Sequence, residues 1–95
     1  MNFIWDGAKC QKNISKHGID FVDVQATFSL PMLTGLDDRK DYGEDRHIGI
    51  GMMRNIVIVV AYTEPGEDTI RIISARKATK SEREKYEHKI KDQLG

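Results

Sequence analysis

The residues of this sequence best suited to chemistry are its cations. Lys9, Lys12 and Lys16 recur at helical spacing, Arg46 opens a glycine-bearing apolar stretch, Arg71 and Arg76 lie in another, and Lys77, Lys80 and Arg83 follow. Residues 71–91 alone hold eight Lys/Arg against three Glu. Such a surface can hold a phosphodiester backbone and stabilise the extra charge of a pentacoordinate phosphorane, as RNA cleavage by its own 2′-hydroxyl requires. The reaction also needs one group to take the 2′ proton and another to protonate the leaving oxygen. His17, Glu44, Tyr62 and Tyr86 are the available candidates.

Other chemistries fit less well. His17, His47 and His88 are far apart, without His-x₃-His or Cys-x₂-Cys spacing, so neither a metal nor another cofactor is expected. Gly43, Gly49 and Gly51 lack the spacing of a phosphate-binding loop, and Ser74, which could partner His17, has no nucleophile-elbow motif around it. Each favoured residue also has a structural explanation. His17 at a helix end complements the dipole, Glu44 with Arg46 makes a weak surface pair, and Arg83, Glu87 and Lys91 are spaced for helical pairing. Arg71 interrupts an apolar strand, so its guanidinium must reach solvent, a carboxylate or a phosphate.

The elements that position these groups follow from patterning. A short edge strand at residues 3–6 ends on Asp6, an N-cap for a helix over 7–17 that Gly18 stops. Asp20 caps a second, short amphipathic helix whose apolar face is Phe21, Val24 and Phe28, with Ile19 and Val24 placed as a hydrophobic staple. Residues 32–36 suit an edge strand. In residues 46–53, Ile48, Ile50 and Met52 alternate with Gly49 and Gly51, which predicts a half-buried strand whose glycine face is thin and open to a helix, ligand or partner. Residues 55–63 read as a central strand, Pro65-Gly66 as a type II turn, and 69–75 as the returning strand of an antiparallel meander. Thr79 to Glu82 forms a capping box, with Ser81 and Glu84 as the competing frame, for a last helix with the stripe Tyr86, Ile90 and Leu94. The expected fold class is α+β: two N-terminal helices and a C-terminal helix packed on a mostly antiparallel sheet, with the helices on one face.

The 95 residues, 39% hydrophobic and 32% charged, suit one domain spanning 1–95. The zero net charge hides an asymmetry: residues 1–45 carry −3 and residues 46–95 carry +3. Cys10 has no second cysteine to pair with, no basic-apolar signal opens the chain, and the longest apolar run is seven residues, so a cytoplasmic protein without a membrane partner is expected. The acidic stretch 37–45 is too short for an interdomain linker.

Several blocks resemble one family. Phe3-x-Trp5-Asp6 with Lys9, then Asn13-x-x-Lys16-His17-Gly18-Ile19-x-Phe21, then Glu44-Asp45-Arg46 with Gly49, and finally residues 71–79 (RIISARKAT) with Glu82 and Tyr86 are together similar to the BrnT family. The resemblance implies a bacterial type II toxin, a metal-independent ribonuclease of RelE-like fold that inhibits translation. It further implies a BrnA-type antitoxin whose ribbon-helix-helix part binds operator DNA, so that DNA is reached only through that partner. Lys16, His17, Glu44, Arg46, Arg71, Ser74 and Arg76 match the family's blocks. Taken with the cationic pattern, this gives His17, Glu44, Arg46, Arg71 and Arg76 as catalytic candidates, and Lys9, Lys12, Lys16, Ser74, Lys77, Lys80 and Arg83 as RNA-binding candidates. The rival reading is a catalytically silent module that uses the same cationic face to bind RNA or protein, because positioned cations serve binding and catalysis alike.

Overall fold

The computed structural model describes residues 1–39 and 43–94, with the side chain of Leu94 outside the description. The expected acidic stretch at 37–45 and the end of the 86–90–94 stripe therefore lie partly outside the described residues. The chain forms β1 (Asn2–Ile4), α1 (Gly7–His17), α2 (Phe21–Val24), a 3₁₀ turn (Gln25–Ser29), β2 (Leu33–Leu36), β3 (Arg46–Met53), β4 (Ile56–Gly66), β5 (Thr69–Lys77) and α3 (Lys80–Leu94). The strands make one sheet in the order β1-β5-β4-β3-β2, antiparallel except for the β1–β5 pair. The α+β class and both expected edge strands are present.

The helix ends obey their caps. Asp6 accepts from the Ala8 and Lys9 amides at 2.8 and 3.1 Å, and Gly18, at φ 70°, donates its N–H to the Ile14 carbonyl. Asp20 caps Val22 at 3.0 Å, and the staple residues Ile19 and Val24 are buried. The second helix does not run to Phe28 in α geometry. After one turn it tightens to 3₁₀, where residues three apart eclipse. Val24 and Thr27 thus share a buried face, and Phe28 meets the Tyr62 ring edge-on at 5.0 Å.

Strand parity divides the sheet. Ile58, Val60, Tyr62, Ile70, Ile72 and Ala75 join Cys10, Phe21 and Val24 in the main core under α1 and α2. The second face carries Val57, Val59 and Ala61 of β4 and Ile48, Ile50 and Met52 of β3. α3 crosses this second face, where Tyr86 is buried with its hydroxyl donating to the Pro31 carbonyl at 3.4 Å and Glu82 meets Arg76. The helices therefore occupy both faces rather than one. One turn also differs from expectation. Pro65-Gly66 continues β4, with a register irregularity between Thr63 and Gly66 that spares the imino nitrogen a ladder bond, and the chain reverses at Glu67-Asp68, with Asp68 at φ 60°.

The glycine face of β3 is closed, not open. Gly49 and Gly51 are buried beneath Met32 and the 3₁₀ turn, and the half-exposed side of the strand is the one bearing Ile48, Ile50 and Met52. A Cβ on Gly51 would stand 2.7 Å from Thr27 Cγ2, on a side chain with no exposure, whereas one on Gly49 would chiefly meet the movable tip of Met32. Gly51→Ala should therefore destabilise the fold by about 1–3 kcal/mol and Gly49→Ala by less, read as the shift in a urea unfolding midpoint.

Candidate active site

β1 covers β5 only at Thr69, Ile70 and Arg71, so the outer edge of β5 beyond that point lacks a strand neighbour. α1 takes its place. Asn13, buried on that helix, accepts the Ala75 N–H at 3.0 Å through Oδ1 and donates through Nδ2 to the Ile19 carbonyl at 2.9 Å. One amide thus satisfies the exposed ladder edge and pins the chain leaving α1. This sets the last turn of α1, with Lys16 and His17, beside Ser74.

A β-bulge sets the rest. Ala61 pairs with Ser74 and Tyr62 with Ile72, so Ile73 is an extra residue in β5. Strict alternation would send Arg71 to one face and Ser74 and Arg76 to the other. The inserted residue puts all three on the second face while Ile70, Ile72 and Ala75 stay in the core. Across β3, β4 and β5 the register then forms rows: Arg46, Thr63 and Arg71; Ile48, Ala61 and Ser74; Ile50, Val59 and Arg76. Successive rows are about 7 Å apart.

Two depressions meet at His17 and Ser74. The first, about 270 Å³, is the groove between α1 and the free edge of β5; Lys9, Lys12 and Lys16 line it and, among the described residues, no carboxylate does. The second, about 400 Å³, has Ile48, Val59 and Ala61 in its lining, with the turn after β2 on one side and the start of α3 on the other. Four of its polar groups form two forked pairs. Arg39 donates from Nε and Nη2 to Asp37 at 2.8 and 2.9 Å, and Arg76 donates from Nη1 and Nη2 to Glu82 at 2.8 and 2.9 Å. Glu82 also accepts the Thr79 N–H at 2.8 Å while Thr79 Oγ1 accepts the Glu82 N–H at 3.2 Å, so the frame of the capping box is Thr79 with Glu82. The hydrogen bonds from Arg76, with those from Thr79, hold the Glu82 carboxyl down at about 2, and the same partner raises Arg76 above its ordinary value.

The remaining candidates fall elsewhere. Arg71 stands 3.7 Å from Glu44, both half-exposed, in the row beyond Ser74, so the carboxylate expected beside Arg46 faces Arg71. Lys77 and Arg83 line a separate hollow with Met52 and Glu87, and Lys80 is exposed at the start of α3. Tyr62 lies in the main core, stacked on His47 at 5.2 Å, where burial and then Glu64 push its hydroxyl up. Tyr86 is packed beneath α3. The roles of Asn13, Asp37 and Arg39 and the second role of Glu82 escaped the sequence reading. Asn13 and Glu82 stand in the family blocks, and Glu82 also in the capping-box spacing, while Asp37 and Arg39 carried no such signal.

The family model for the ribonuclease toxin, BrnT, of type II toxin-antitoxin systems matches residues 5–82. The chain belongs to the BrnT family. BrnT proteins are ribonuclease toxins, and membership of a type II system implies an antitoxin partner. The crystal structure of the Brucella abortus ribonuclease toxin, BrnT, is similar at 32% identity and a TM-score of 0.64, covering 84% of this chain and 99% of that one. No curated protein matches the chain. The BrnT model ends in the first turn of α3, at the residue that holds Arg76.

Two outcomes test this geometry. Asn13→Ala should cost about 2–3 kcal/mol in a urea titration, because the mutation strands the Ala75 N–H and the Ile19 carbonyl. Glu82 is depressed from its ordinary 4.5 to about 2, so its contribution is complete above pH 4.5 and is lost as pH falls toward 2. Melting temperatures between pH 7 and 2 should show an acid-side decline that Glu82→Gln reduces.

Proposed function

We propose that the protein is the toxin of its type II pair and cuts single-stranded RNA without a metal, by attack of the 2′-hydroxyl on the adjacent phosphate. One observation carries the reading: among the described residues, His17 and Ser74 are shared by the lysine groove and the cleft that holds Arg76. A backbone lying along α1 brings its phosphates past Lys9, Lys12 and Lys16 to this junction. There the His17 imidazole takes the 2′ proton, O2′ bonds to phosphorus, and the P–O5′ bond breaks as O5′ picks up a proton from water. The products are a 2′,3′-cyclic phosphate and a 5′-hydroxyl. Arg76, on the same strand face as Ser74, with Arg71 and Arg46 in the row beyond it, supplies cationic stabilisation to the phosphorane. Glu44, beside Arg71, is the second candidate base. The reading uses side chains alone; among the described residues no three His, Cys, Asp or Glu side chains are grouped.

The partner fits the same surface. We assign it as a BrnA-type antitoxin, carrying a ribbon-helix-helix part that binds DNA, whose carboxylates cover the lysine groove and Arg71. It acts in a cytoplasm where its RNA target lies; among the described residues no helix is long and apolar enough to cross a membrane. The closed glycine face of β3 leaves the half-exposed Ile48 side and the exposed Leu36 as the apolar part of that contact. Its association rate should fall as salt rises, since charges steer over roughly 8 Å at physiological ionic strength.

Purified protein should cleave RNA equally with and without a chelator, leaving cyclic phosphate ends. 5′-phosphate ends or loss of activity on chelation would rule the mechanism out. His17→Ala should lower the cleavage rate by about 10²-fold or more, and Arg71→Ala and Arg76→Ala should each relieve growth inhibition in cells while keeping a cooperative melt. Lys91→Ala should change neither readout. A silent binding module would instead hold RNA with the same salt dependence and leave it intact.

A further inference from the structure

The lysines of the groove all lie to one side of His17. Lys9, Lys12 and Lys16 are spaced by three and four along α1, so they form a single row, and His17 stands where that row and the helix end, before Gly18. All three lysines are exposed, and among the described residues none of them pairs with a carboxylate. From residue 9 to residue 16 the helix axis advances about 10.5 Å, room for about two successive phosphates of a single strand beside the one being cut. Asn13 has Oδ1 and Nδ2 committed to the Ala75 N–H and the Ile19 carbonyl, and β5 adds only Ile73 and Ser74. The described lining thus holds no uncommitted amide, guanidinium or carboxylate to pair in a fork with a base edge. What this groove offers a nucleotide is positive charge, which fixes position and carries no sequence information.

The position of His17 at one end of the row also gives the bound strand a direction. In-line attack places O2′ and O5′ on opposite sides of phosphorus, and a base acts only within hydrogen-bond reach of O2′. O2′ belongs to the ribose on the 5′ side of the cut, whereas the strand on the 3′ side hangs from O5′ at the far pole. With His17 as the base, the attacking ribose stands against the end of the lysine row, and its own 5′ phosphate falls among the lysines. We infer that the lysine groove holds the RNA strand on the 5′ side of the cut alone, over about two phosphates and without regard to base. The inference deepens the ribonuclease reading and rests on it. After cleavage the fragment ending in the cyclic phosphate remains in the groove, and the fragment with the 5′-hydroxyl has no hold there.

The test uses the wild-type protein and short 2′-O-methyl strands carrying one ribonucleotide, so that a single bond can be cut. Two further linkages are made neutral as methylphosphonates, either the nearest two on the 5′ side of the cut or the nearest two on the 3′ side. The 5′ replacement should raise KM about tenfold or more and lower the slope of log KM against log salt by about 1.4, since each single-strand phosphate contact contributes about 0.7. The 3′ replacement should leave both near the values of the unmodified strand. Lys12→Ala, checked by its melting curve, should raise KM for the unmodified strand and add little once the 5′ linkages are neutral, because both changes remove the same contact. A penalty confined to the 3′ linkages would overturn the inference and move the base to the far side, where Glu44 stands beside Arg71, with the ribonuclease reading intact. Equal penalties on the two sides, or none on either, would overturn it as well. If these strands stay whole although a long RNA is cut, the footprint exceeds the groove and the inference fails. If no RNA is cut at all, the ribonuclease reading itself fails.

Discussion

The arrangement of this protein depends on how it treats one unfinished edge. A sheet edge presents unpaired amides, and β5 has such an edge as soon as β1 ends at Ile4. Asn13 closes it with one buried side-chain amide, and the same amide holds the Ile19 carbonyl. α1 is thereby fixed against β5 at a single height, its basic stripe faces the strand edge, and its last residue stands beside Ser74. An aliphatic residue at position 13 would bury as well and would bring none of this about, because packing alone is tolerant of a slide along the strand whereas a pair of hydrogen bonds is not.

Much of this fold was legible in the sequence, and the parts that were not share a cause. Caps at Asp6, Gly18, Asp20 and Thr79 are local, so spacing alone reveals them. The alternation of Ile48, Ile50 and Met52 identified β3 but assigned its faces wrongly, because the small residues turned out to lie under Met32 and Thr27. Glycine there makes room for a close layer. The bulge at Ile73 was hidden because it changes only the partner count of two strands, and a single sequence records no partners. Without it, Arg71 and Arg76 look like opposite faces of one strand.

Charge was legible in amount and not in placement. Lys77, Lys80 and Arg83 are close in sequence to Arg76 and Lys9 is far from it, yet it is Lys9 that shares a continuous surface with the residues around Ser74. Arg76 itself shows that an ion pair can position a side chain as well as neutralise it. Glu82 belongs to the helix cap and to the arginine at once, so the fork holds the guanidinium against the sheet with little rotational freedom left to lose. Asp37 treats Arg39 the same way across the cleft.

The bond between Asn13 and Ala75 joins residues 62 positions apart. The β3–β4–β5 meander closes through two short turns, but α1 and β1 reach it only by closing a much longer loop, and contacts of that separation form late and slowly. On a ribosome the consequence is a matter of timing. His17 and the lysines are made early and can fold into a helix, yet they have nothing to stand beside until the strand carrying Ser74 and Arg76 has been synthesised and has emerged. The surface between α1 and β5 therefore cannot form gradually: it comes into being in a single step, when the earlier helix docks on the later strand.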